Sequence, residues 1–546
     1  MSFKDKVVYQ VYPKSFQDSN NDGWGDIQGI ISRLDYLKEL GVDIIWFNPM
    51  CISPQRDNGY DVANYREIDP RYGTMKDFEQ LSQACKERDI QIMFDMVFNH
   101  TSTEHEWFQK ALQGDKKYKD YYFWRKGKSD GTLPTNWQSK FGGPAWEYVR
   151  EFDEYYLHLY DKTQADLNWD NPDVRQECAD IINYWLDKGV HCFRFDVVNL
   201  ISKSTVDQDD PNNFDGRQYY TDGPRVHEYL EELNKRSFSK YNDSVTVGEM
   251  SSTTLEDCVL YANENGKELS MVFTFHHLKV DYKDMKKWEL KPFDFIELKQ
   301  LLNKWQVGMQ ENNAWNALFF NNHDQPRALS RFLNDSTYRK QSAKLLAVVT
   351  HLMRGTPYIY QGEEIGMTNP YFTDINQYVD VESKNMFHIL QDEGKSEDEV
   401  YHILQERSRD NARTLMQWDD SNNAGFTQGI PWIQAADNHI DINVKKDLAD
   451  PDGIIHAYKQ LIQMRKDYDV IQNGLYVPML EDHPQVFAFE RKTDKESLIV
   501  VTNFYEKEVS IDLDIKDYKV LFANYKDLSP KQPIQLRPYE AIVFYK

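Results

Sequence analysis

The chain has 546 residues, 40% hydrophobic and 28% charged, with 88 acidic against 64 basic side chains for a formal charge of −24. A polypeptide of this size buries a large core and divides into two to four structural units. Its acidity excludes a nucleic-acid binder and a polybasic membrane-surface protein, and an anionic substrate would need a locally basic pocket.

Aromatic residues reach 14%, with 34 Tyr and 13 Trp, a content that suits stacking on sugar rings as well as core filling. Cys51, Cys85, Cys178, Cys192 and Cys258 are scattered and form no CxxC pair, which points to thiols in a reducing compartment. The opening segment MSFKDKVVYQVYP lacks an apolar core ahead of a small-residue cleavage site, and no apolar run reaches the ~18 residues of a membrane span. A cytoplasmic protein is expected.

In chain order, short apolar runs recur: VVYQVYP from Val7, VDIIWFNPM from Val42, IQIMFDMVFNH from Ile90 and VHCFRFDVV from Val190. VTVGEM from Val245, MVFTFHH from Met271, ALFFNNHD from Ala317 and TPYIYQGEE from Thr356 complete the series. Amphipathic segments such as IQGIISRLDYLKELG and MKDFEQLSQACKERD lie between them, with apolar residues every three or four positions. Buried strands alternating with such helices predict parallel βα units, and eight of them predict a (β/α)8 TIM barrel with its chemistry at the C-terminal strand ends. A doubly wound open sheet is the alternative, but no Gly-rich dinucleotide loop follows the first strand.

Residues 101–171, rich in Trp, Tyr, Gly and Asn, break the alternation and predict an inserted subdomain after strand 3. The barrel then comprises 1–100 and 172–475. Beyond a helix near 452–470, runs such as VFAFER, SLIVVTNF and AIVFYK predict a C-terminal antiparallel β-sandwich domain over 476–546.

After the first strand comes Asp18-Ser-Asn20-Asn-Asp22-Gly23-Trp24-Gly25-Asp26, whose oxygen spacing with Gly at the sixth position resembles an EF-hand loop. The twelfth position is Gly29 rather than Glu, and no helix precedes the loop. A single structural Ca²⁺ or Mg²⁺ is expected, with Asp18, Asn20, Asp22, Trp24 and Asp26 as ligands; the competing reading is an Asn/Asp/Gly turn that binds its own backbone. No organic cofactor is expected.

The fourth run, Cys192-Phe-Arg194-Phe-Asp196-Val-Val-Asn199, carries Arg194 and Asp196 on one strand face, a costly pair in an apolar run unless the charges meet a partner, a cavity or a substrate. Asp196, Glu249 and Asp324 end the fourth, fifth and seventh runs. Three carboxylates converging at a barrel mouth suit glycoside hydrolysis, which needs a nucleophile and a separate proton donor.

Asp95-Met-Val-Phe-Asn99-His100, Phe193-Arg194-Phe195-Asp196, Val247-Gly248-Glu249-Met250 and Asn322-His323-Asp324 resemble the four signature segments of the α-amylase superfamily of glycoside hydrolases. Gln164-Ala-Asp166-Leu-Asn168 is similar to its fifth segment, and the resemblance spans essentially the whole chain. It implies that Asp196 is the nucleophile of a retaining mechanism and Glu249 the acid/base, raised in pKa by burial and neighbouring carboxylates, with the two carboxyls about 5–5.5 Å apart. Asp324 is implied to hold sugar hydroxyls, Arg194 to orient Asp196, and His100, His323 and Gln164 to bind the same sugar. Asp57-Asn58-Gly59-Tyr60-Asp61 and Arg409-Asp-Asn-Ala-Arg413 resemble the exo-acting α-glucosidase branch, where Asp57, Tyr60 and Arg413 are implied to enclose one terminal glucose.

Stretches including PTNWQSKFGGPAWE, DGRQYYTDGPRVHE and FTFHHLKVDY are closer to the branch's phospho-α-1,1-glucosidases than to its oligo-1,6-glucosidases. A phosphorylated disaccharide needs cations, and the stretch after the sixth run supplies His276, His277, Lys279, Lys283, Lys286, Lys287 and Lys291. His276, Lys279 and Lys287 are the phosphate-binding candidates; the plainer reading is a solvated lysine surface. The expected partner is a small phosphorylated sugar, with no nucleic acid or membrane, and a monomer is expected. The alternatives are an oligo-1,6-glucosidase acting on isomaltose-like ends and, in another class, a non-catalytic hydrolase-like subunit of a membrane transporter.

Overall fold

The structure is a computed structural model that describes residues 3–212, 215–527 and 532–546. Eight short parallel strands recur along it: β1 (Val8–Val11), β2 (Ile44–Phe47), β3 (Gln91–Met96), β4 (Cys192–Phe195), β5 (Val245–Met250), β6 (Met271–Thr274), β7 (Ala317–Leu318) and β8 (Thr356–Tyr360). The chain divides into two compact units, one holding residues 46–86 and 91–274, the other holding residues up to 45, 87–90 and 275–546. Strand β2 is shared, its last two residues falling in the first unit.

In the first unit β3, β4, β5 and β6 lie side by side in parallel, with Arg194 opposite Asp95 on one flank and Val247 on the other. Almost every residue of these strands is buried, which explains why they read as apolar runs rather than alternating ones. The helix Pro172–Asp187 begins with Asn171 accepting from the Asp173 N–H and Pro at its first position, and buries Val174, Cys178, Ile181, Ile182 and Trp185 along one face. Trp185 packs on Phe94 of β3 with ring centroids 4.6 Å apart. Truncating so buried a ring would cost about 3–5 kcal/mol.

The inserted segment begins within the strand His100–Ser102, which pairs with Gln164–Asp166, and holds a three-stranded antiparallel sheet of Trp124–Arg125, Glu154–Leu157 and Trp146–Val149. Their aromatic content has a direct use. Phe123, Trp137, Trp146, Leu157 and Leu159 form a core with Val197, Leu200, Val206 and Tyr220 from the segment after β4. The excursion is thereby fastened to the loop that follows Asp196.

In the second unit β1 pairs with β8 and β8 with β7, all parallel. After β8 the chain makes a second excursion, with helices Val381–Asp392 and Glu397–Arg407 around a core that includes Phe387, Leu390, Val400 and Leu404. Both helices carry side-chain caps, Asp380 on the Ser383 N–H and Ser396 with Glu399 as a reciprocal capping box. The C-terminal segment forms a five-stranded antiparallel sheet: Leu475–Met479, Val486–Lys492, Ser497–Asn503, Ala541–Tyr545 and Lys519–Ala523 in spatial order. A ribbon of Val509–Ile511 with Ile534–Leu536 shares its core, with Val486, Ile499, Ile542 and Phe544 packed with Ile511, Ile534 and Leu536. All five cysteines are buried thiols. Among the described residues no helix is long and apolar enough to cross a membrane.

Candidate active site

Arg194 is fully buried on β4, and its guanidinium gathers three carboxylates. Its Nη1 donates to Asp95 Oδ1 at 2.7 Å and to Asp196 Oδ1 at 2.6 Å, and its Nη2 donates to Glu249 Oε2. The opening cost of that charge in an apolar strand is thus met by three acids, two on the flanking strands β3 and β5 and one just past the end of β4. The rings of Trp46, Tyr60 and Phe273 surround the guanidinium at 5.2, 5.7 and 5.8 Å. Burial opposes its charge, but Asp95, Tyr60 and Asp196 hold its pKa above the usual value.

Asp95 also accepts from Tyr60 OH at 2.8 Å and from Trp46 Nε1 at 3.2 Å. Burial first, and then the Asp196 charge, push its carboxyl up to about 7 against the opposing pull of Arg194. One guanidinium cannot neutralise three ionised acids, so full ionisation of the cluster is disfavoured and its proton is shared by the set rather than owned by one residue. Sequence reading placed Asp95 in a signature segment without giving it a role; it becomes legible only from the strand pairing that sets it opposite Arg194.

Asp196 follows the last residue of β4, tied by its N–H to the Met96 carbonyl at 3.0 Å. The next residue, Val197, has φ +36°, a left-handed conformation that a β-branched residue rarely adopts. The chain turns abruptly there, leaving Asp196 at the strand end. Strain of about 1–3 kcal/mol is usual for such a residue and persists where surrounding packing enforces it; here Val197 belongs to the core shared with the inserted segment.

His100, Gln164, Asp57 and Tyr60 form a second group in the same unit. Asn99 Nδ2 lies 3.2 Å from His100 Nδ1, and His100 Nε2 lies 3.1 Å from the Tyr60 carbonyl and 3.2 Å from Gln164 Nε2. Burial lowers the His100 pKa, which favours the neutral ring. Gln164 Nε2 donates to Asp57 Oδ2 at 3.0 Å. Asp61 closes the 57–61 loop by accepting from Ser53 Oγ at 2.7 Å and the Arg56 N–H at 2.9 Å, and Gly59 (φ +104°) supplies the left-handed turn. The Tyr60 hydroxyl donates to Asp95 Oδ2 and accepts from Asn48 Nδ2. Beneath this group lies an ion pair that sequence reading missed, Lys203 with Asp166 at 3.0 Å, both buried, with Asn99 Nδ2 donating to the same carboxylate at 3.2 Å.

In the second unit, Asp324 meets His323 Nε2 at 3.0 Å, Arg413 Nη2 at 2.8 Å and Arg409 Nη1 at 3.4 Å. Burial raises the Asp324 pKa, but His323, Arg409 and Arg413 outweigh it and hold the carboxyl well below its usual range. Both arginines also reach Asp380, at 2.6 Å from Arg409 and 3.4 Å from Arg413, and Arg413 Nε donates to the His323 carbonyl at 2.7 Å. Asp380 and Arg409 are further residues of this cluster that the sequence did not single out as site residues. Arg409 was visible only as one end of the motif that contains Arg413.

The basic stretch after β6 is more engaged than a lysine count suggests. Lys287 pairs with Glu382 at 2.6 Å, Lys286 with Glu289 at 2.8 Å and Lys291 with Glu297 at 3.1 Å. His276 lies against Trp305 with ring centroids 5.1 Å apart, and burial, helped by Lys279 and Lys304, lowers its pKa to about 4. Its ring is therefore neutral near pH 7. Its Nδ1 is buried without a hydrogen-bond partner among the described residues. Lys279 ends the turn His276–Leu278.

In the loop after β1, Asp18 accepts from the Asn20, Asn21 and Gly23 N–H groups at 2.8–2.9 Å and from Thr427 Oγ1 at 2.6 Å. Gly23 (φ +94°) admits no side chain, since a Cβ there would lie 1.9 Å from the Ile430 carbonyl oxygen. Asn20 Oδ1 and Asp22 Oδ1 each take one backbone donor and retain acceptor capacity. Asp26 caps the helix Ile27–Ser32 and binds Ser19. Among the described residues no three His, Cys, Asp or Glu side chains are grouped to hold a metal, so a cation here would depend on Asn20 and on the Trp24 carbonyl as well. The all-oxygen set fits a hard divalent ion, with Asp18 supplying charge more than open coordination.

Parallel strands carrying a guanidinium-held set of acids at their C-terminal ends define a barrel glycosidase. The family described as "Alpha amylase, catalytic domain" matches residues 10–474, and "Alpha-amylase SusG C-terminal domain" matches 486–543. A trehalose-6-phosphate hydrolase of Bacillus subtilis is 51% identical, over 99% of this chain and 98% of the relative. An oligo-1,6-glucosidase of Bacillus cereus is 47% identical, over 99% of each chain. The crystal structure of Bacillus licheniformis trehalose-6-phosphate hydrolase is 52% identical and superposes with a TM-score of 0.96, over 100% of this chain and 99% of that one. The chain belongs to the alpha-amylase family of glycoside hydrolases, and its fold is the (β/α)8 barrel with a C-terminal antiparallel domain.

Proposed function

We propose that this enzyme hydrolyses trehalose 6-phosphate to glucose and glucose 6-phosphate with retention of configuration. What carries the reading is its similarity, at 51% identity over nearly the whole chain, to a trehalose-6-phosphate hydrolase, set beside a cationic stretch after β6 in a protein of charge −24. Asp196 attacks the anomeric carbon while Glu249 protonates the leaving oxygen; Glu249 as carboxylate then activates water, and two inversions give net retention. Arg194 serves both steps. Its Nη2 donates to Glu249 Oε2, which leaves Oε1 to carry the transferred proton, and its Nη1 aligns Asp196.

Asp57, Tyr60, His100, Gln164, Asp324, His323 and Arg413 are assigned to the terminal glucose, and His276, Lys279 and Lys287 to the phosphate. Lys287 would exchange part of its pairing with Glu382 for the phosphate. A hard divalent cation held by Asp18, Asn20, Asp22, Trp24 and Asp26 would stabilise the loop after β1, and chelation should then lower the unfolding temperature. No organic cofactor, nucleic acid or membrane enters the scheme. A cytoplasmic monomer is proposed, with five buried thiols supporting a reducing compartment.

The test compares kcat/KM for trehalose 6-phosphate, trehalose and isomaltose. A clear preference for the phosphorylated sugar is expected. Equal or better turnover of isomaltose would make the enzyme an oligo-1,6-glucosidase instead.

A further inference from the structure

We infer that Lys140, in the inserted segment of the first unit, is a specificity-determining residue that binds the phosphoryl group of the substrate's leaving sugar. The inference rests on the proposed function and adds a cation that lies outside the basic stretch after β6.

Three observations place this ammonium at the catalytic strands. First, Lys140 Nζ lies 3.4 Å from Ser251 Oγ, two residues beyond Glu249. Ser251 is itself fixed, its N–H donating to Asn199 Oδ1 at 2.9 Å and its carbonyl accepting from Asn199 Nδ2 at 3.0 Å. Asn199 follows Asp196 by three residues, so Lys140 is referenced to the loops after both β4 and β5.

Second, Lys140 Nζ lies 5.5 Å from the Tyr220 ring centroid and 6.0 Å from that of Tyr160. Tyr160 packs on His100 with centroids 5.3 Å apart, which connects the lysine to the sugar-binding group. A hydroxyl and two ring faces lie around the amine.

Third, its backbone is held on both sides. The Lys140 N–H donates to the Leu159 carbonyl at 2.9 Å, Ser139 Oγ donates to the Tyr160 carbonyl at 2.6 Å, and the Phe141 N–H donates to Ser139 Oγ at 3.1 Å. Phe141 packs edge-on against Tyr160. A lysine on so fixed a turn loses less freedom on binding an anion than one on a mobile surface loop.

The leaving sugar departs from the side that Glu249 protonates, and Ser251 continues the chain past Glu249. A cation at Ser251 therefore suits a substituent on the leaving sugar rather than on the glucose that Asp196 retains.

The experiment measures kcat/KM for trehalose 6-phosphate and for p-nitrophenyl α-glucoside in the full-length enzyme, Lys140→Gln and Lys140→Arg, with unfolding temperatures recorded for each. Losing one charge-assisted contact should lower the ratio of the two specificity constants in Lys140→Gln by roughly 10- to 100-fold, mainly through KM for the phosphorylated sugar. The inhibition constant of glucose 6-phosphate should rise in step, and Lys140→Arg should keep most of the preference. A Lys140→Gln ratio within about twofold of wild type, in an enzyme that still prefers trehalose 6-phosphate over trehalose, would overturn the assignment of Lys140 while leaving the proposed function intact. A Lys140→Arg ratio as low as that of Lys140→Gln would also overturn it, since packing rather than charge would then be responsible. Wild-type enzyme with no preference for the phosphorylated sugar would remove the proposed function, and this inference with it.

Discussion

Replacing Arg194 by Met is the sharpest perturbation the first unit allows. The side chain is fully buried, its Nη1 bridges Asp95 at 2.7 Å and Asp196 at 2.6 Å, and its Nη2 holds Glu249. Met roughly fills the volume, so the change isolates the charge and the fork of donors. Breaking a buried pair by deleting one partner costs about 3–5 kcal/mol, because the remaining charges stay desolvated. Here three acids are left facing one another, and the cluster would recover part of the cost by taking up protons. Asp95 responds most directly, since Arg194 opposes the burial that lifts its carboxyl to about 7. If the lost interaction is expressed mainly in the transition state, 3 kcal/mol corresponds to a fall in kcat of about 10²-fold, and 5 kcal/mol to several thousand-fold. Arg194→Lys keeps the charge but cannot span three carboxylates, and should fall between Met and wild type. The assay is steady-state hydrolysis of an aryl α-glucoside with a denaturation midpoint measured on each variant. A folded Arg194→Met enzyme with kcat within tenfold of wild type would refute the view that this guanidinium organises the catalytic acids.

Two further perturbations test the electrostatics around that cluster. Asp95 has a raised pKa in the folded state, so the stability it contributes is fully present below the unfolded value near 4 and is lost as pH rises through about 7. Asp95→Asn should lower stability outright, because its amide nitrogen cannot accept from Tyr60 or Trp46, yet flatten the fall in urea midpoint between pH 5 and 8; an unchanged slope counts against a raised Asp95 carboxyl. Lys203→Met should destabilise by about 3–5 kcal/mol by stranding buried Asp166, and Asp166→Asn in the same chain should restore part of that; urea midpoints of the single and double variants that simply add would show no coupling.

The acids at the strand ends were legible because each interrupts an apolar run, and a buried strand tolerates such a residue only where its charge is used. The same logic identified Arg194 and Asp196 as partners, since residues two apart share a strand face. It could not identify Asp95 as the third acid, which depends on β3 and β4 pairing with Arg194 opposite Asp95. Nor could it reveal Lys203, whose partner Asp166 lies 37 positions earlier in a different excursion. The helices Val381–Asp392 and Glu397–Arg407 fall within the span 172–475 assigned to the barrel, although they build a core of their own and deliver Asp380 and Glu382 to Arg409. The basic stretch shows the limit most directly: Lys287 is conspicuous in sequence, but its Glu382 partner, 95 residues away, is not.

The two acid clusters follow one physical rule. In the first unit a single arginine serves Asp95, Asp196 and Glu249; in the second, Arg409 and Arg413 share Asp324 and Asp380. Where guanidinium charge is in deficit, burial lifts a carboxyl, as at Asp95; where it is ample, the carboxyls stay ionised, with Asp380 held down at about 2. Buried ion pairs of this kind contribute little net stability compared with well-packed apolar residues, because desolvation consumes most of the attraction. Their value is orientation: a guanidinium with several fixed acceptors leaves each carboxylate few rotamers and aims it before the substrate arrives. The left-handed Val197 beside Asp196 points the same way, since it too is a conformation that folding alone would not favour. Stability has been sacrificed at the strand ends, and the cores beneath the inserted segment and along the helix Pro172–Asp187 offset the loss.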